Sequence, residues 1–145
     1  MTLFSDKFIL TEKYLEKIFD ACNNMYFENS LTKIPVKIID SEDANGYFKF
    51  DIDPENRILK NPRIEISKTH KLPYEILERT MIHEMVHYKI FLDLTEDEIF
   101  MAFNAYKFGN DELFNRLLGL GKYGHSGKWE EYIRNINNKY NLKIK

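Results

Sequence analysis

Thr80-Met81-Ile82-His83-Glu84-Met85-Val86-His87 is the stretch on which the reading of this chain turns. It lies in a longer run, Tyr74 to Leu92, whose apolar residues recur at helical spacing on two adjoining faces. Ile76, Thr80, His83, His87, Ile90 and Phe91 share one face; Leu77, Met81, Met85, Tyr88 and Leu92 share the next. An apolar arc this wide predicts a helix at the centre of the core, not on the surface. His83 and His87 are one turn apart, so their imidazoles point the same way and can converge on one cation. Glu84 sits about 100° round that helix and can reach a water held by the cation. Two ligands do not complete a catalytic zinc site, which wants three and a water.

The bulk composition describes a folded domain. The chain has 145 residues, 43% hydrophobic and 30% charged, with four prolines. That is length enough for one domain, 1–145, with a core that needs no staples. No apolar stretch approaches the ~20 residues of a membrane span. Met1 to Lys7 lacks a basic segment followed by an apolar one, so export is not expected. Cys22 is the single cysteine, which excludes an internal disulfide and any cysteine-based zinc cluster. It falls on an apolar stripe and reads as a buried thiol. Together these points predict a cytoplasmic protein without membrane contact.

The net charge of −2 exerts no general pull on nucleic acid. Its distribution is uneven. Arg116, Lys122, Lys128, Arg134, Lys139, Lys143 and Lys145 face only Glu130 and Glu131 in the C-terminal segment, whereas 72–115 is acidic. The basic segment is a candidate face for a phosphate backbone, and equally a solvated surface.

Periodicity divides the rest. Thr11 caps a first helix to Phe27, with Leu15, Ile18, Phe19, Cys22, Met25 and Tyr26 as its stripe. Pro35 to Asp40, Tyr47 to Phe50 and Arg63 to Ser67 read as three strands, with turns at Asn45-Gly46 and Asp53 to Asn56. In sequence order they predict a meander. Pro73 precedes the histidine helix. A capping box, Thr95 to Glu98, opens another helix carrying Ile99, Phe100, Phe103 and Tyr106. A short helix from Asp111 to near Gly119 follows, so 93–121 is a helical insert. Ser126 caps a last helix with Trp129, Tyr132, Ile133, Ile136 and Tyr140 on one side.

For the third ligand, the spacing H-E-x-x-H-x-x-G-x-x-H fails, because Ile90 and Asp93 occupy the glycine and histidine positions. His125 is the natural candidate: the glycines of Tyr123-Gly124-His125-Ser126-Gly127 let the backbone turn and bring its ring to the helix. A carboxylate from Asp111, Glu112, Glu96 or Glu98 is the competing choice, and His70 reads as a solvated loop residue with a substrate-side role as the alternative. Tyr123 stands beside His125, either as packing or as a phenol donor to an oxyanion.

With these residues in view, the chain resembles the SprT-like family of metalloprotease domains, which Spartan proteases also carry. The matching elements run in order. They are Met25-Tyr26-Phe27-Glu28-Asn29-Ser30-Leu31, then Gly46-Tyr47-Phe48, Ile64-Glu65-Ile66-Ser67 and Thr80 to His87. The series closes with Gly124-His125-Ser126-Gly127-Lys128-Trp129, where the family has Gly-His-x-x-x-Phe. The resemblance covers nearly the whole chain, with two departures: the His87–His125 segment is longer than in compact members, and neither the four-cysteine ribbon nor the recruiting tails of some members are expected here.

The resemblance implies an α+β, zincin-like fold: a small antiparallel or mixed three-stranded sheet against the histidine helix, with additional helices. It implies one Zn²⁺ held by His83, His87 and His125, with Glu84 as general base in peptide-bond hydrolysis of a polypeptide substrate, possible action on DNA-associated proteins included. It also suggests the Ile64–Ser67 strand as an edge to which extended substrate adds. A metal-stapled DNA- or protein-binding module, and a zinc peptidase with a glutamate ligand, are the alternatives.

Overall fold

The computed structural model describes residues 10–145. Helix α1 spans Glu12–Tyr26, and its first turn is closed by Thr11, whose side chain accepts a hydrogen bond from the Tyr14 amide at 3.1 Å. Such a cap contributes about 1 kcal/mol. Leu15, Ile18, Phe19, Cys22 and Tyr26 are buried as the stripe predicts, but Met25 is 57% exposed. Asn23 takes a buried position instead. Its side-chain amide accepts from the Leu31 amide and donates to the Leu31 carbonyl, pinning the loop after α1 as a strand partner would.

The strands are β1 (Val36–Ile39), β2 (Gly46–Asp53) and β3 (Ile58–Ser67). The sheet order is β1-β3-β2, and β1 runs parallel to β3 in the register Val36 to Ile64 and Ile38 to Ile66. The fold is therefore α+β with a mixed sheet. Two expectations fail here. The strands do not form a meander, because β1 skips its sequence neighbour. The Ile64–Ser67 segment is not an edge: β3 is the central strand, and its Ile64 and Ile66 are fully buried. Alternation within a strand reports which face is covered, not which strand lies alongside.

Helix α2 spans Tyr74–Leu92, the limits its periodicity predicts. Leu77, Met81, Ile82, Met85, Val86 and Tyr88 are buried, and so are Thr80 and Glu84. Helix α3 spans Glu96–Lys107 behind the Thr95–Glu98 capping box, in which both reciprocal hydrogen bonds form. Helix α4, Asp111–Leu118, ends at Gly119 in the left-handed region. A short 3-10 turn, Gly121–Tyr123, leads to α5, Lys128–Tyr140. Within the insert the buried residues are Ala102, Phe103, Ala105, Phe114 and Leu118. Phe100 and Tyr106, expected on the packed face of α3, are 58% and 47% exposed.

The chain divides into two compact units. Among the described residues, one comprises those up to Lys49, Pro62–Met85 and Lys143–Lys145; the other comprises Phe50–Asn61 and Val86–Leu142. The insert lies wholly in the second. No helix among the described residues is long and apolar enough to cross a membrane.

Candidate metal centre

His83 and His87 are carried by the unbroken helix α2, which sets their rings one turn apart on a single face. Both are half-buried. His125 arrives from the segment between the 3-10 turn and α5, and its Nε2 lies 3.1 Å from Nε2 of His87. One donor atom from each of the three imidazoles falls within 4.8 Å of the others. Two nitrogens bound tetrahedrally at Zn–N distances of about 2.0–2.1 Å stand roughly 3.3 Å apart. The His87–His125 pair already stands close to that separation. The donor set fits a first-row divalent cation, with imidazole nitrogen suited to zinc.

The rings are held from behind. Trp129, buried on α5, stacks on His87 at 5.5 Å and 24°, and meets His125 edge-on at 4.7 Å and 83°. Nδ1 of His83 lies 2.7 Å from the Lys145 carbonyl oxygen. An N–H on Nδ1 donating to that carbonyl leaves Nε2 bare for a cation, the arrangement that fixes a ligand tautomer.

The glycines act differently from expectation. Gly124 itself has ordinary right-handed backbone; the turning is done by Gly121 and Gly127, both at φ +59°. Gly124 is required by space instead, because a Cβ there would lie 3.3 Å from the Gly119 and Gly121 carbonyl oxygens. Ser126 does not cap α5. Gly127 holds that position without a side-chain bond, and the Ser126 hydroxyl donates to the Tyr123 carbonyl at 3.3 Å.

Glu84 is only 5% exposed. Its carboxyl receives a hydrogen bond from the Phe48 amide on β2, and Oε2 stands 4.0 Å from Nε2 of His83. Burial pushes this carboxyl up to about 8, against the lowering effect of the Phe48 bond. Gly46 makes that approach feasible. A Cβ at this position would meet Thr80 Cγ2 at 3.0 Å and the Glu65 carbonyl oxygen at 3.1 Å, forcing β2 away from α2.

The carboxylates weighed as third ligand are not brought together with the histidines; among the described residues the three-histidine group stands without them. Glu112 accepts from the Tyr123 hydroxyl at 2.9 Å, and Glu98 is committed to its capping box and to Lys128 at 3.0 Å. That ion pair also removes one cation from the basic C-terminal segment. His70 stays in an exposed turn. The Trp129 clamp, the Lys145 carbonyl and the Phe48 amide were not legible as partners, since two are backbone groups and the third acts through tertiary contact. The chain matches no family model, no curated protein and no solved structure with which it was compared.

Proposed function

We propose that the chain is a zinc-dependent endopeptidase with Glu84 as general base, of the zincin-like, SprT-like kind that its motifs resemble. The observation that carries this reading is the convergence of three imidazoles with the buried carboxylate of Glu84 beside His83. His83, His87 and His125 would hold Zn²⁺, leaving the fourth tetrahedral position open, where structural zinc sites are closed by a further protein ligand. When bound, the metal supplies Lewis acidity and acidifies water at neutral pH. Glu84 then accepts the proton of the water that attacks the peptide carbonyl, and returns it to the departing nitrogen. With β3 central, an extended substrate would add along β2, an outer strand of the sheet whose Phe48 amide bonds the base.

The test is proteolysis of a loosely folded protein with and without single-stranded DNA, with Glu84→Gln as control. Wild-type chain loaded with zinc cleaves; Glu84→Gln retains the metal and loses at least ~100-fold in rate, the usual scale of general-base catalysis. Cleavage only in the presence of DNA places the substrate among DNA-bound proteins. Equal rates for the two proteins reject Glu84 as base, and no cleavage under either condition returns the chain to a binding role.

A further inference from the structure

A cavity of about 500 Å³ opens beside His83 and Glu84, lined wholly by the first unit. Its apolar lining comes from Ile76 and the buried Ile144, whereas Arg79, Lys143 and Lys145 bring positive charge to it. Arg79 precedes His83 by four residues on α2, so it stands one turn away on the same face. Elsewhere many cations are committed: Lys37 to Glu12, Lys49 to Glu65, Lys89 to Asp93 and Lys128 to Glu98. Among the described residues none of the three cavity cations is in an ion pair. The one acidic side chain in the lining is Glu84, whose carboxyl is already bound by the Phe48 amide. An α-carboxylate at Lys145 would offset one of the three charges and leave the lining basic.

We propose that this cavity is a specificity pocket for a carboxylate on the polypeptide, either an acidic side chain or the free C-terminus of a peptide. Its role as a cleavage subsite rests on the peptidase reading; its recognition of an anion does not. The Arg79 guanidinium presents paired N–H donors that match both oxygens of a carboxylate, and Lys143 and Lys145 add charge at the rim. Low-dielectric walls on one side concentrate that field toward the opening. Ile76 and Ile144 cover the aliphatic stem of a glutamate or the last side chain of a peptide.

The test is a ¹⁵N–¹H NMR titration of the metal-free full chain with three short peptides. One is blocked at both ends with an internal Glu, the second replaces that Glu by Gln, and the third is the Gln peptide with a free C-terminus. The Glu or the free-carboxylate peptide binds about tenfold or more tighter than the blocked Gln peptide, as expected for charge-assisted bonds. Shifts centre on Arg79 and Lys143–Lys145. Arg79→Gln, at an exposed position, abolishes most of the difference with a circular dichroism spectrum like wild type, and Arg79→Glu turns the preference toward a Lys peptide. Whichever carboxylate peptide binds identifies the source. Equal binding of all three, or an unaltered preference in Arg79→Gln, overturns the proposal. Because no metal or turnover enters this readout, a chain that prefers carboxylates yet cleaves nothing would sink the peptidase reading alone.

Discussion

Trp129 lies flat on one candidate ligand ring and edge-on to another, so one side chain restrains both His87 and His125. Removing it acts twice, through a cavity and through lost ring orientation. Trp129→Ala costs about 3–5 kcal/mol of stability on the usual scale for buried aromatics, and weakens zinc binding beyond what the lost stability explains. Trp129→Phe keeps a ring against His87 and retains most of the affinity. Competition against a chromogenic chelator, with Tm measured in parallel, separates the two effects; equal zinc affinity in Trp129→Ala would reject the clamp. Cys22 makes a second prediction at this scale. Burial, aided by Glu78, pushes its thiol up to about 12, so the native chain resists thiol reagents at pH 8 and reacts once unfolded. Rapid labelling of the native protein would contradict the burial.

Where one element meets another, the segment after α5 has an unexpected part. Lys143 to Lys145 returns to the first unit, buries Ile144 and presents the Lys145 carbonyl to His83. Groups that orient a ligand through its second nitrogen typically contribute 10–100-fold to metal affinity. Deletion of 143–145 therefore weakens zinc binding by about that factor while helical circular dichroism persists; unchanged affinity would show the contact to be incidental. The elements themselves were largely legible. The limits of α2, the Thr11 cap and the Thr95–Glu98 box rest on hydrogen bonds and periodicity within a few residues. The pairing of β1 with β3 was not, because a strand carries no record of its neighbour. Phe100 and Tyr106 misled for a related reason: helical spacing says which residues share a face, not which face is covered.

For the whole molecule, proton linkage shapes the pH dependence of stability. The Cys22 thiol, with an ordinary value of 9.0, and the Tyr74 phenol, with 10.0, both hold their protons to about 12 when folded. Between those values the unfolded chain has released protons that the folded chain retains, so stability falls as pH rises from about 9 toward 12. Denaturant titrations across that range check the sign, and Cys22→Ala removes part of the slope. On the proposed zinc reading, added zinc is expected to raise the melting temperature, because an ion held by the folded chain alone stabilises it; at 100-fold excess over Kd the gain is about 2.7 kcal/mol. His125→Ala abolishes most of that shift, and a full shift in this variant would return the third ligand to a carboxylate. From the amino acids alone came the histidine helix, the caps, the buried thiol and the choice of His125, because each depends on local spacing or on scarcity among four histidines. Only the tertiary structure decided that β3 is central, that Trp129 clamps two rings and that Glu84 is sealed against β2. It also put three cations around one cavity. Those facts depend on groups far apart in sequence meeting in space, and no local period encodes such a meeting.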